Sequence, residues 1–215
     1  MSSIAKCGVG LRNESCVWRR IRYAAMPAVL CGLVLAGQGF VSAQGQTLES
    51  GIDVIRQSLA KDGLYERITT TSRGNYTSRT QRKFSLSEAK GCSLVVVADS
   101  HIHTEMPQQN RVTDRRWSDI YHPDFAAMDP ASATVIAPEP PQATWETKGY
   151  LVRISIEAGK PLMVGSTVDP ATNQARDMPG VPALAVYVTN KETADRLAKA
   201  FAQVATACRA GAAAK

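Results

Sequence analysis

Hydrophobic and polar residues alternate along the middle of the chain and follow helical spacing near its two ends. The most strand-like stretch is 91–104, in which successive side chains should point to opposite faces of a sheet. Its first half is apolar on both faces, which predicts a central strand covered on both sides. Its second half has one polar face, which should emerge into solvent. The apolar face carries Leu94, Val96, Ala98 and Ile102, and the polar face carries Asp99, His101, His103 and Glu105.

Two amphipathic helices are predicted at the ends of this alternating region. Residues 47–61 place apolar side chains on one helical face, with Thr47 as a plausible N-cap and Gly63 as the stop. Residues 194–208 form the second helix, and Thr189 with Glu192 makes a capping box before it. The two apolar stripes are Leu48, Ile52, Ile55 and Leu59, and Ala194, Leu197, Ala198, Phe201, Val204, Ala205 and Cys208.

The remaining periodic segments read as strands. Residues 148–157 and 160–167 are expected to form a hairpin around Ala158-Gly159, and 169–180 is expected to be a polar loop. The pattern therefore predicts an α+β fold: a mostly antiparallel sheet or partly open barrel of about seven strands, with both helices packed on it. The other expected strands are 64–71, 76–84, 111–121, 133–137 and 183–188.

The N-terminal segment has the pattern of a secretory signal peptide. A basic region is followed by the apolar run 23–36 and by the small residues Val41-Ser42-Ala43, which form a cleavage site. A membrane-spanning helix needs about 20 apolar residues, so a cleaved leader is favoured over a retained anchor. We expect a leader at 1–43, one domain at 44–209, a disordered tail at 210–215, and a periplasmic or secreted protein without a stable membrane span.

Removal of the leader changes the charge and the cysteine count. The leader holds five basic residues and one acidic residue, so its removal lowers the net charge from +6 to +2. The basic charge of the whole chain comes mostly from the leader and is therefore no evidence for nucleic-acid binding. Only Cys92 and Cys208 remain, and an exported compartment is oxidising. We expect one disulfide between them, worth about 2–4 kcal/mol; the alternative is two separate buried thiols.

The polar face of residues 99–105 is a candidate metal site. Side chains two residues apart on a strand share a face, so Asp99, His101 and His103, with Glu105, could hold zinc or copper. A further imidazole, His122, could come from the neighbouring strand. The alternative is a solvent-facing polar stripe without a ligand.

Signatures of catalysis are missing from the sequence. It contains no Gly-x-Ser-x-Gly, no Cys-x-x-Cys, and no phosphate-binding or dinucleotide-binding glycine motif. Trp117, Trp145 and Tyr150 either line a ligand cleft or belong to the core. We expect a non-enzymatic, disulfide-stabilised binding or envelope-associated module without a cofactor, whose partner is an envelope component or a small ligand. The alternatives are a metal-binding protein that uses the His-x-His face and a hydrolase.

The order of elements also resembles a known architecture. Strands followed by one amphipathic C-terminal helix, over 64–209, are similar to pleckstrin-homology-like barrels capped by a helix. Segments 125–135 and 193–208 resemble small secreted bacterial proteins of unknown function. These resemblances imply a fold but transfer no functional residue to this chain.

Overall fold

The computed structural model describes the backbone of residues 39–71 and 75–213, with side chains from 47 to 71 and from 75 to 212. Within these ranges the chain forms two long helices, α1 (Gly39–Asp62) and α2 (Lys191–Ala213). Ten strands lie between them in the described part of the chain. They are β1 (Leu64–Thr70), β2 (Thr77–Lys90), β3 (Ser93–Met106), β4 (Arg111–His122), β5 (Thr134–Ile136), β6 (Trp145–Lys148), β7 (Tyr150–Ser155), β8 (Val164–Asp169), β9 (Gln174–Asp177) and β10 (Ala183–Val188).

The described strands form two antiparallel sheets. The larger sheet has the order β6-β1-β2-β3-β4-β8-β9, and the smaller has the order β10-β7-β5. Helix α1 packs on α2 and on β2, while α2 packs on β7. The predicted α+β class, with a mainly antiparallel sheet and a helix from each end of the chain packed against it, is confirmed.

Both helices and both sheets contribute to one hydrophobic core. The ring of Phe201, on the apolar stripe of α2, lies 5.7 Å from the ring of Phe125 between centroids. Because the buried positions recur every second residue in the strands and every third or fourth in the helices, the core follows the predicted periodicities. Its largest buried side chains include Ile55, Leu59, Phe84, Leu94, Val96, Val152, Ile154, Leu184, Leu197 and Phe201.

A disulfide ties the last turns of α2 to the start of β3. It joins Cys92 to Cys208 with a Cα–Cα separation of 5.6 Å, which is the pairing that the cysteine count predicted. Cys208 is buried on the apolar stripe, whereas Cys92 lies in the turn between β2 and β3 and is half-buried. Gly91 has a φ of 58° in this turn, a backbone conformation that glycine adopts without steric cost.

Helix α1 begins earlier than the sequence pattern indicates. Its first residue is Gly39, so Thr47 lies inside the helix and the predicted cap at Thr47 is wrong. Gly63 follows the last helical residue, as predicted. Gly51 lies where α1 meets α2, and a Cβ built there would be 2.6 Å from Val204 Cγ2. A glycine that weakens an isolated helix therefore lets these two helices approach closely.

Helix α2 is capped one residue later than predicted. Asn190 Oδ1 accepts hydrogen bonds from the backbone N–H groups of Glu192 at 2.8 Å and Thr193 at 3.3 Å. The capping box from Thr189 is therefore wrong, because Asn190 supplies the N-cap oxygen. At its other end α2 continues to Ala213, into the segment 210–215 that we expected to be disordered.

Three strand predictions need correction. The expected hairpin of 148–157 with 160–167 is wrong, because β7 pairs with β5 and β10 while β8 pairs with β4 and β9. Strand β9 lies in the predicted loop 169–180, and its four residues are all exposed. Val95 and Val97 are only half-buried, so the prediction that the start of β3 is covered on both faces is wrong.

The predicted leader falls mostly outside the described residues, which begin at 39; residues 39–43 form the start of α1. Residues 72–74, between the expected strands 64–71 and 76–84, also lie outside them. Within the part of the chain that the structure describes, no helix combines the length and the apolar character needed to cross a membrane.

Candidate metal centre

Strands β3 and β4 form a hairpin that brings the polar face of β3 next to β4. A short 3-10 turn at Pro107–Gln109 closes the hairpin, with Asn110 in the left-handed conformation at a φ of 46°. The register places Asp114 directly opposite His103. By strand alternation these side chains project from the face opposite to the one that carries Leu94 and packs against the helices.

One carboxylate oxygen joins the two imidazoles. Asp114 Oδ1 lies 2.8 Å from His101 Nε2 and 2.9 Å from His103 Nδ1. The donor atoms of these three residues all lie within 4.8 Å of one another. The side chains are partly exposed, with 33% of His101, 37% of His103 and 52% of Asp114 accessible to solvent. The site is therefore a surface cluster that an ion can reach without a change of fold.

His103 has a carboxylate at each of its ring nitrogens. Its Nε2 lies 3.1 Å from Glu105 Oε1, while its Nδ1 faces Asp114. A neutral imidazole carries one N–H, so both contacts are hydrogen bonds only in the protonated ring. The hydrogen bonds to Asp114 and to Glu105 accordingly raise the pKa of His103 above its ordinary value. Hydrogen bonds from His103 and His101 lower the pKa of the Asp114 carboxyl.

This sheet face carries charges of both signs. Strand alternation places the carboxylates of Asp99, Glu105 and Asp114 on it, together with Arg79, Lys83 and Arg116, which are the cross-strand neighbours of His103, Asp99 and His101. The attraction for a cation therefore comes from the two carboxylates in direct contact with His103, those of Asp114 and Glu105, and not from the net charge of the face. Screening by salt weakens this attraction at a surface.

A metal ion can replace the protons shared in this cluster. Zinc sits about 2.0–2.1 Å from imidazole nitrogens and from carboxylate oxygens, which sets neighbouring tetrahedral donors about 3.3 Å apart. To meet that spacing, the Asp114 oxygen needs to move about 0.5 Å away from each imidazole nitrogen. The two nitrogens, which lie within 4.8 Å of each other, need to take up the same spacing. Coordination through Nδ1 leaves the Nε2–H of His103 to donate to Glu105, the outer hydrogen bond that commonly orients a histidine ligand.

The residues named from the sequence divide into two groups. His101 and His103 come together as expected, while Asp99 instead accepts a hydrogen bond of 2.6 Å from Ser118 Oγ. His122 lies opposite Val164, eight residues along β4 from Asp114 and therefore about 27 Å away. The structure thus places Asp99 and His122 outside the group of three donors and brings in Asp114.

Asp114 was missed because polar residues on an exposed strand have no periodicity that marks a partner. The turn at Pro107–Gln109 holds the missing signal. Residues equally distant from a hairpin turn face each other, so once the turn is located, His103 must meet Asp114.

A second charged cluster, around Glu66 in β1, is structural. Its carboxylate accepts hydrogen bonds from Arg79 Nε at 2.6 Å and from Gln81 at 2.9 Å, and Lys148 Nζ lies 3.5 Å away. Burial alone would raise the pKa of Glu66, but the bonds from Gln81 and Arg79 and the charges of Arg79 and Lys148 outweigh it, so the pKa is lowered. These contacts join β6, β1 and β2 across the sheet.

Comparison of the chain with protein-family models, with curated proteins and with solved structures gave no match.

Proposed function

We propose that this protein is an exported binding protein that takes one zinc or copper(II) ion at His101, His103 and Asp114. The observation that carries the proposal is the convergence of two imidazole nitrogens and one carboxylate oxygen within 4.8 Å on one hairpin. Imidazole with carboxylate suits both ions. A water molecule or a small ligand would take the open coordination position.

The export and the binding role have separate support. The leader pattern at 1–43 and the disulfide between Cys92 and Cys208 suit a periplasmic or secreted protein. The three donor residues lie on paired antiparallel strands, which hold the spacing that a binding site requires. The hydrolase alternative gains no comparable observation, since no histidine of the described residues is hydrogen-bonded to a serine or a cysteine.

The test is a thermal titration with zinc and with copper(II) at pH 8. An ion that binds only the folded state at 100 times its Kd stabilises it by about 2.7 kcal/mol. For a domain of this size we expect the Tm to rise by about 5–10 °C. The variants His101→Ala, His103→Ala and Asp114→Asn should each lose most of this rise.

The chain offers matched controls for these variants. His122→Ala removes a histidine from an exposed position on the same hairpin, and Asp99→Asn removes a neighbouring carboxylate that bonds Ser118. Both should keep the full metal-dependent rise in Tm. A wild-type Tm that is unchanged by saturating zinc and copper, or an equal loss of the effect in the control variants, would refute the proposal.

A further inference from the structure

A cleft of about 440 Å³ separates the edge of the large sheet from the small sheet. Its walls include Tyr65 and Arg67 of β1, Trp145 of β6 and Tyr187 of β10, with aliphatic side chains from the region of β5 and β7. The volume lies in the range of small-molecule sites, about 300–1,000 Å³. The lining combines three aromatic rings with polar side chains, those of Arg67, Glu139 and Thr147, of the kind that orient a ligand in such sites.

Arg67 is the cation of this cleft. Its guanidinium carbon lies 5.3 Å from the centroid of the Trp145 ring, a cation–π contact between neighbouring strands. No acidic side chain forms an ion pair with Arg67 among the residues that the structure describes. The contact with the ring leaves the N–H donors of Arg67 without a protein acceptor among the described residues, and a guanidinium with free donors can bind a carboxylate through two parallel hydrogen bonds.

Two phenol groups lie beside this cation. The rings of Tyr65 and Tyr187 are 4.5 Å apart between centroids and link the two sheets. Neither hydroxyl has a hydrogen-bond partner within residues 47–71 and 75–212. Burial, followed by the effect of Tyr65, raises the pKa of Tyr187, so its hydroxyl remains a donor at neutral pH. The cleft thus combines flat apolar walls with several unused donors.

Glu139 lines the same cleft and limits the charge of a ligand. A second negative charge on the ligand would meet this carboxylate without a second cation in the lining to offset it, because Arg82, whose charge acts on Tyr187, is paired with Asp119. A singly charged carboxylate is therefore favoured over a phosphate dianion.

We propose that this cleft binds a small monocarboxylate with a planar apolar body, its carboxylate on Arg67 and its body against Trp145, Tyr65 and Tyr187. The cleft lies on the face of the large sheet that also carries the core, and the proposed metal ligands His101, His103 and Asp114 lie on the opposite face. The two sites are independent, so either proposal can fail without the other.

The test is a two-dimensional 1H–15N NMR titration of the purified protein with 2-naphthoate, in buffer with EDTA to exclude metal. We expect saturable shifts at the amides of β1, β6 and β10. Neutral 2-naphthamide, which has the same ring system, should bind at least about tenfold more weakly because it lacks the charge that pairs with Arg67. The dianion 2-naphthyl phosphate should also bind more weakly than the carboxylate.

Variants distinguish the carboxylate contact from nonspecific binding of the aromatic body. Arg67→Gln should weaken 2-naphthoate at least about tenfold and leave 2-naphthamide nearly unchanged. Glu139→Gln should strengthen 2-naphthyl phosphate. The matched control is Arg115→Gln, since Arg115 stacks on Trp117 at 5.5 Å on the same sheet face, three strands away. That variant should bind 2-naphthoate as the wild type does.

Spectral dispersion shows in the same experiment whether each variant is folded. The proposal would be overturned by equal binding of naphthoate and naphthamide, or by unchanged naphthoate binding in a folded Arg67→Gln variant. Shifts that map outside the cleft, or no shift at about 10 mM naphthoate, would overturn it as well.

Discussion

Replacing both Cys92 and Cys208 by alanine should cost the protein a large part of its stability. The bridge closes a loop with a sequence separation of 116 residues. In the chain-entropy treatment, a loop of that length restricts the unfolded chain by about 4.8 kcal/mol, and measured bridges are typically worth about 2–4 kcal/mol. We therefore expect the free energy of unfolding to fall by about 3–5 kcal/mol.

Packing adds a smaller effect at the helix end of the bridge. Cys208 is 3% exposed, so its sulfur fills part of the core between α2 and the sheets. Alanine at this position removes that contact as well as the crosslink, whereas Cys92 is only half-buried. Reduction of the wild type breaks the bridge and keeps both sulfur atoms. The difference between the reduced wild type and the double variant should thus isolate the packing contribution, about 1 kcal/mol.

Urea unfolding followed by far-UV circular dichroism measures these differences. The oxidised wild type should have the highest urea midpoint. In a thermal scan, the double variant should have a Tm about 10 °C below that of the oxidised wild type. The m-value should rise when the bridge is absent, because the unfolded chain then exposes more surface. Hydrogen exchange should increase most in the last turns of α2. A double variant within about 0.5 kcal/mol of the oxidised wild type would contradict the reasoning from loop length.

Two further predictions concern Glu66 and Asn190. Because the pKa of Glu66 is lowered in the folded state, its stabilising effect is present above the ordinary value of 4.5 and is lost as pH falls through the folded pKa. Glu66→Gln should therefore be less stable than the wild type at pH 7, and urea titrations from pH 7 to 3 should show the difference closing; a constant difference would contradict the ion-pair explanation. Asn190→Ala should lower the free energy of unfolding by about 1 kcal/mol in the same assay, because the cap of α2 is lost. Thr189→Ala should lower it by less than half as much. The reverse order would support the capping box at Thr189 instead.

The elements with strong periodicity were predictable from the sequence. Strand β10 has the predicted bounds, and the apolar stripe of α2 is buried from Ala194 to Cys208, apart from the half-buried Ala198. These segments bury one face, so their side-chain spacing is dictated by the geometry of the element. Strand β9 could not be predicted, because all its residues are exposed and hydrogen bonds to β8 alone hold it.

Strand pairing was less predictable than strand position. Strands β7 and β8 are close in the sequence and separated by a glycine turn, which suggests a hairpin, yet they belong to different sheets. Alternation determines which face of a strand is buried but not which strand lies beside it. The same limit applies to the three proposed metal ligands. His101 and His103 could be recognised as a local pair in the sequence, whereas the position of Asp114 beside them depends on the register of two strands.

The most direct measurement of the metal proposal is anomalous diffraction from crystals grown with zinc, with data collected on both sides of the zinc absorption edge. We expect one strong difference peak on the β3–β4 hairpin, within about 2.0–2.2 Å of His101 Nε2, His103 Nδ1 and an Asp114 oxygen. His103 Nε2 should still donate to Glu105. A peak bound by other residues, or no peak at this cluster with zinc present in excess, would contradict the proposal.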